Sequence, residues 1–416
     1  MKLNPMGRAA TAAILSLALL LGVTSCSNDY TVAYLYMTTA KTLPHGLING
    51  YQVDYQSGAL KPLEDSPIDA GGRNTVGLAV APNNLFLYTV NHDDSDVVEF
   101  AIGTDGKLYP ENTYNITGSL ATAAAIDAAG KFLYVTFTYQ NGPNGTELYT
   151  PANPGPGGIT IFPIASDNTL CGTNGTAINK LCTQNATTRN VGRNPIGIAT
   201  TQNGFVYVIE QDSATTSNLL GFSENTTTGA LTPLPGVAIV PGNLPSTGFA
   251  TGPTPSGILA NSAGTTLYIT DQTLSQVASY SIASSGVPTL IGTAQTDATP
   301  MGMAFDPSGK YLYIVAYSAN TIDGYTLGAA GQPVRSTVAA SLQAGTGPTC
   351  VTAIGAPSSA NPTHGVYLYT SNALSNNITG EQLNEANGSL DQIPGTPFGG
   401  STLPTCTVTV EALPLR

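Results

Sequence analysis

Charge is scarce in this chain of 416 residues: Asp, Glu, Lys and Arg make up only 9%, with 13 basic side chains against 25 acidic ones. A net charge of −12 leaves no basic stripe for nucleic acid and none for an anionic membrane surface. Solubility therefore rests on Thr, Ser, Asn and Gly. Histidine occurs three times, and no Cys-x-x-Cys or His-rich spacing is present. Zinc-ligand patterns are thereby excluded, and neither a metal nor a cofactor is expected. The apolar run from Ala9 to Val23 is too short to cross a bilayer comfortably as a helix.

That run reads instead as a processing signal. Lys2 and Arg8 precede it, and Val23-Thr24-Ser25-Cys26 follows it in the manner of a bacterial lipobox. Cleavage before Cys26 frees a cysteine for lipidation, and several acyl chains on one residue anchor stably where a single chain does not. An ordinary secretory signal is the alternative, and export follows from either. Loss of the leader takes Lys2 and Arg8 with it, for a charge of about −14. Ser27 resembles the residue that sorts lipoproteins to the outer membrane, so the membrane is reached only through the lipid anchor. The expected organisation is a signal peptide over 1–25, a tether over 26–33 and one domain over 34–416.

What the chain has in abundance is a repeat. Inner-strand starts recur at Thr75-Val76-Gly77, Ala121-Thr122-Ala123, Pro195-Ile196-Gly197, Pro255-Ser256-Gly257, Pro300-Met301-Gly302, Pro348-Thr349-Cys350 and Pro404-Thr405-Cys406. All but the last lead through a polar turn to a Tyr-containing apolar strand such as Phe86-Leu87-Tyr88-Thr89-Val90 or Tyr311-Leu312-Tyr313-Ile314-Val315. Such runs bounded by Gly, Pro and Asn are short strands. Thr-Gly-x-Leu hairpins, as at Thr228-Gly229-Ala230-Leu231, complete a four-stranded unit. The predicted fold is all-β, a seven-bladed propeller. The orphan start at Pro404 obtains its outer strands from Leu35-Tyr36-Met37-Thr38-Thr39, so both termini close the ring. Alternation of the tyrosines with aliphatic residues predicts packing between blades.

With Cys26 lipidated, four cysteines remain in an oxidising compartment. Cys171 and Cys182 bracket a Gly-Thr-Asn-rich segment and are an expected disulfide. Cys350 and Cys406 share one repeat position on neighbouring inner strands, where a disulfide across the closure and two buried free thiols are both open.

The recurring Asp-Pro-Ser-Gly-Lys-Tyr-Leu-Tyr-Ile-Val unit at 306–315, with its Thr-Gly-x-Leu hairpins, resembles the lactonase-type seven-bladed propellers. These include phosphogluconolactonases, carboxymuconate-lactonizing enzymes and secreted Tyr-Val-Thr-Asn repeat proteins. The likeness runs from Tyr34 to the C-terminus. In such a ring, the connection into each inner strand and the loop after each second strand open on one mouth. Two matching Gly-Arg-Asn segments place Arg73, Asn74, Arg193 and Asn194 there, joined by His45, His92-Asp93-Asp94, Glu210-Gln211-Asp212, Asp271 and Tyr317. Arginine offers planar donors to a carboxylate or oxyanion, and Glu210 can serve as a general base once buried. The resemblance implies an Arg and a Glu lining the mouth, which Arg193 and Glu210 match, and a Pro-His-x-His segment where this chain has Asn194-Pro195-Ile196-Gly197. His92 is the histidine suited to catalysis.

Other fates are open to these side chains. Arg193 and Glu210 can simply pair, Asp271 can cap loop backbone, and Asp93, Asp94 and Asp96 can gather calcium, although Ser95-Asp96 coincides with the turn at Ser318-Ala319-Asn320. Three insertions, Tyr139–Gly158, Ala165–Gly192 and Leu234–Gly252, are expected to wall the mouth over blades three and four. Two functions are consistent with all this. One is a cell-envelope lactonase-like hydrolase or isomerase, monomeric, acting on a sugar lactone or acidic small molecule. The other is a non-catalytic surface propeller that binds a glycan, peptide or protein.

Overall fold

The computed structural model describes residues 31–40, 44–140, 156–174, 177–178, 186–213, 215–239, 246–339, 341–355 and 365–412. Within them the chain folds as seven antiparallel blades of four-stranded plan, with a two-stranded hairpin, Thr173–Asn174 with Ala177–Ile178, against the outer strand of blade two, Leu108–Asn115. Inner strands at Pro404–Glu411, Thr75–Val80, Gly118–Ile126, Pro195–Thr200, Pro255–Ala260, Pro300–Phe305 and Pro348–Gly355 touch one another in a closed circle. Blade one is built from both chain ends. Its second strand, Thr31–Thr39, pairs with Leu47–Asp54 on one side and with Pro404–Glu411 on the other, Tyr36 lying opposite Val408. That strand begins three residues before the expected domain boundary at Tyr34.

The core lies between blades. Leu133, Val135 and Phe137 of blade three pack on Tyr88, Val90 and Tyr114 of blade two. At the closure, Leu35, Tyr51 and Val53 of blade one meet Tyr369 and Ile378 of blade seven. Second strands are sandwiched on both faces, so they read as nearly continuous apolar runs: all six residues of Thr266–Asp271 are buried.

The second-strand tyrosines do more than pack. In every blade one of them reaches the next blade and donates its hydroxyl to the carbonyl of the turn between third and fourth strands. Tyr36 meets Gly106, Tyr88 meets Asn168, Tyr134 meets Gly229, Tyr207 meets Gly286, Tyr268 meets Gly331, Tyr313 meets Gly388 and Tyr369 meets Gly58, at 2.5 to 3.4 Å. The accepting residue has positive φ in all seven, which is why six are glycine and the seventh is asparagine.

Two of the insertions lie elsewhere than expected. Ile164 bridges Leu170 and Cys171 N–H donates to Pro163 at 2.7 Å, so the outer strand of blade three has already started before the chain departs. It returns at Thr187–Asn190 to pair with Gly158–Pro163. Likewise Leu231–Pro233 and Phe249–Ala250 both pair with the third strand of blade four, Ser217–Glu224. These two insertions interrupt outer strands at the rim, as shorter breaks do in blades one, six and seven. An outermost strand has a free edge, so a detour there costs few hydrogen bonds. Outer strands also lack the aromatic signature that marks strand ends in the sequence. The first insertion does leave from the mouth side, between Phe132–Gln140 and Gly158–Pro163, and its residues 141–155 lie outside the described set.

Candidate functional site

The mouth is defined by a repeated contact. In six blades the residue at the mouth end of the second strand donates its N–H to the residue that precedes the inner strand: Ala40 to Leu403, His92 to Asn74, Gln211 to Asn194, Gln272 to Thr254, Tyr317 to Thr299 and Ala373 to Gly347, at 2.8 to 3.2 Å. Asn74 and Asn194 take positive φ there, 54° and 40°, a conformation asparagine tolerates. Both Gly-Arg-Asn segments thus lie against the loops that carry the acidic residues.

Just below this contact, opposite the first residue of the inner strand, blades two, four, five and seven carry a polar residue, Asn91, Glu210, Asp271 and Asn372, where blade six has Ala316, and these differ in how well they are satisfied. In blade two Asn91 accepts from Thr75 Oγ1 at 2.7 Å and donates to Asp96 at 2.8 Å. In blade five Asp271 accepts the N–H groups of Thr254 and Leu274, each at 2.8 Å. Asp271 is therefore a loop cap. In blade four the position is Glu210, fully buried, with Gly192 packed so closely on its carboxyl that a Cβ would lie 2.5 Å from Oε2.

Asn218, directly across the ladder from Glu210, donates to Oε1 at 2.6 Å, and the same amide reaches Asp212 at 3.3 Å and the Ser246 carbonyl at 3.2 Å. With both acids ionised, neither Glu210 Oε2 nor Asp212 Oδ1 has a hydrogen-bond donor. A single proton held on Glu210 supplies one to Asp212. Burial pushes the Glu210 carboxyl up to about 8, the Asn218 amide opposes the shift and the Asp212 charge adds to it. Asp212 is also raised, by burial first, against the pull of the Arg193 charge. Arg193 Nε is buried without a hydrogen-bond partner. No ion pair joins Arg193 to Glu210 among the described residues. The simple pairing expected of them is corrected: the carboxyl is kept neutral by its surroundings, so it has little charge to offer the guanidinium.

Residues 34–180 and 199–353 match the family described as lactonase, 7-bladed beta-propeller. The chain belongs to that family. No curated protein matches it. Among solved structures, a candidate 6-phosphogluconolactonase from Bacteroides fragilis is 19% identical over 92% of this chain and 99% of its own, with a TM-score of 0.67. A periplasmic gluconolactonase from Pseudomonas aeruginosa is 16% identical over 92% of this chain and 100% of its own, with a TM-score of 0.64. At such identities the likeness is one of fold.

In this lactonase-family propeller the blade-two residues form a second, separate group. Arg73 is held by Asp94, through Nε at 2.7 Å, Nη2 at 2.5 Å and its own backbone N–H at 2.6 Å. That pairing holds the Asp94 carboxyl below its ordinary value. His92 Nδ1 lies 2.7 Å from Asp93, which also accepts from Asn74 at 3.1 Å. Asp93 is lowered because these bonds outweigh its partial burial. Asp93, Asp94 and Asp96 thus each have a side-chain partner of their own, and the calcium alternative loses its free carboxylates. His45 rests 2.9 Å from Asp69, both well exposed. Tyr317 lies at the mouth between blades six and seven, against Gly347. Blade three separates the Arg73 group from the Arg193 group.

Sequence reasoning singled out Glu210 and Arg193 but missed Asn218 and Ser246. Asn218 belongs to a third strand whose register with Glu210 no local pattern reveals. Cys171 is disulfide-bonded, while Cys182, Cys26 and His364 lie outside the described residues. Cys350 and Cys406 are free thiols with sulfurs 3.1 Å apart; a bond requires about 2.05 Å. Of the two alternatives open for this pair, the structure shows the free thiols. A crevice between blades one and two, lined by Tyr36, Leu63, Ser66 and Lys107 among others, contains none of the expected site residues.

Proposed function

We propose that this chain is an exported, lipid-anchored lactonase that opens an unphosphorylated lactone at the mouth of blade four. The observation that supports it is the buried Glu210–Asp212 carboxyl pair beside Arg193, because two acids sharing one proton provide an acid and a base in one place. Asp212, the more exposed partner, takes a proton from water as that water attacks the lactone carbonyl. Arg193 steadies the oxyanion that forms. Glu210, neutral up to about pH 8, returns a proton to the ring oxygen as the C–O bond breaks. The proton on Asp212 then restores Glu210. The gluconolactonase of Pseudomonas aeruginosa, named as periplasmic, supports an envelope lactonase on this fold, and the lipobox at Cys26 supports export. Export argues against phosphorylated sugar lactones, which are cytoplasmic metabolites.

The test is hydrolysis of a panel of unphosphorylated aldonolactones by leaderless protein. Turnover is expected, lost in Glu210→Gln and Arg193→Met. Unchanged turnover in both variants ends the mechanism. A second reading, a binding propeller for a glycan or peptide, draws on the exposed apolar side chains at the other blades' mouth loops, Leu274, Leu374 and Leu403 at 45%, 55% and 50% exposure. No turnover on any lactone, together with saturable glycan or peptide binding, selects that reading. Fatty-acid labelling that survives Cys26→Ala removes the anchor from the proposal.

A further inference from the structure

The inner-strand position occupied by Cys350 and Cys406 is held by Gly77, Gly197, Gly257 and Gly302 in four other blades and by Ala123 in blade three. It is a crowded place: a Cβ on Gly302 would lie 2.9 Å from the Thr349 carbonyl and 3.0 Å from Cys350 Cα. Side chains with a sulfur occur there only in the two blades that flank the ring's seam. The two thiols are 3.1 Å apart and both residues are partly exposed. Hydroxyl contacts pin the two strands on either side of the sulfurs. Thr349 Oγ1 donates to the Pro404 carbonyl at 3.5 Å, Thr352 and Thr409 hydroxyls meet at 3.2 Å, and Thr409 donates to the Ala353 carbonyl at 3.2 Å. The backbones therefore need to move little for the sulfurs to bond.

We propose that Cys350 and Cys406 are a redox-active dithiol, closed by exchange with a small-molecule or protein disulfide into a staple between blade seven and the C-terminal strand. The Cys350 thiolate attacks one sulfur of the oxidant, forming a mixed disulfide and expelling one thiolate. Cys406, deprotonated, attacks Cys350 Sγ and expels the second, and the two protons pass to the two leaving thiolates. Cys350 leads because the contact with Cys406 favours its thiolate and lowers its thiol to about 7, while the same contact raises Cys406. The consequence falls on the joint at which the two ends of the chain close the ring. The strand Pro404–Glu411 is held in blade one by hydrogen bonds to Thr31–Thr39, a strand from the far end of the chain. A covalent link to blade seven would keep it in place while those bonds open. This inference stands apart from the lactonase reading.

The test incubates leaderless protein with oxidised glutathione, then alkylates it and maps the Cys350 and Cys406 peptides. Both should escape alkylation, appear as one cross-linked species lighter by two hydrogens, and recover with a dithiol reductant. The melting temperature of the oxidised form should exceed that of the reduced form by roughly 5 °C, a difference absent from Cys350→Ser and Cys406→Ser. Both thiols remaining open to alkylation, or a cross-link that leaves the melting temperature unchanged or lower, overturns the proposal. So does protection by stoichiometric cadmium with no response to the oxidant, which would identify a soft-metal site instead.

Discussion

Tyr369 donates its hydroxyl to the carbonyl of Gly58 at 2.6 Å, and so ties residues 311 positions apart across the seam of the ring. Six other tyrosines make the same bond to the blade that follows. The interface at the seam is therefore built like the interfaces within continuous chain, although its two sides come from opposite ends of the sequence. Both the donor and its neighbours are excluded from water, so a lost partner is not replaced.

Tyr369→Phe keeps the packing and removes the donor, leaving the Gly58 carbonyl without it. The expected loss is about 1–2 kcal/mol, read from the midpoint of urea unfolding. Tyr268→Phe, at an interface away from the seam, should lose a similar amount. No loss in either would mean that the hydroxyls are incidental to the packing.

Stability should fall as pH rises from about 4.5 to about 8. Glu210 is raised from 4.5 to about 8, Glu99 and Glu381 to about 7, and Asp96 from 3.8 to about 6, each chiefly by burial. Below the unfolded values both states are protonated. Between the unfolded and folded values the folded chain holds the extra protons, so each unit of pH disfavours it, and the loss is complete above the folded values. Urea midpoints across this range should show the decline, and Glu210→Gln should flatten its upper part. A midpoint that climbs with pH contradicts the assignment.

Arg335 Nη2 donates to Asp297 at 2.6 Å and to the fully buried Asp323 at 2.5 Å. Removing the cation in Arg335→Met strands the Asp323 charge, an effect of about 3 kcal/mol. Adding Asp323→Asn should restore part of that loss, since the neutral amide needs no counter-charge. Equal stability of the single variant and the parent protein in urea would show the pair to be dispensable.

Deletion of residues 404–416 removes the inner strand of blade one and leaves Thr31–Thr39 with an unpaired edge. Limited proteolysis should then cut within 31–69, and the melting transition should broaden and drop. An unaltered digestion pattern would mean that the ring does not depend on this strand.

The fold was legible because every blade meets the same packing problem and answers it with the same residues. The starts at Pro195, Pro255, Pro300, Pro348 and Pro404 mark the crowded inner strands, and the apolar strands with tyrosine mark the layer buried on both faces. One signal in that layer passed unused. The bonded position is tyrosine in all seven blades, from Tyr36 to Tyr369, whereas packing alone would admit phenylalanine. The insertions at Ala165 and Leu234 lie at the rim because the outer strands they interrupt are short and polar, with a hairpin motif where blade four's begins, at Leu231, and nothing in the sequence to mark where they resume.

For the site, type and neighbourhood were readable but not partnership. Arg73 and Arg193 follow the same glycine and precede the same asparagine, yet one is held by Asp94 and the other keeps an unpartnered Nε. The difference lies in which acid the facing loop presents, and at what depth.

The sequence by itself determined the number of blades, the closure by both termini, the mouth residues and the adjacency of Cys350 to Cys406, because these follow from a periodic pattern of local strand and turn preferences. Only the tertiary structure decided the burial of Glu210 under Gly192, its cross-strand amide from Asn218, and the unbonded state of the two thiols. Those depend on register and on distances of a few tenths of an ångström between segments far apart in the chain, and it is there that desolvation sets which acids carry a proton.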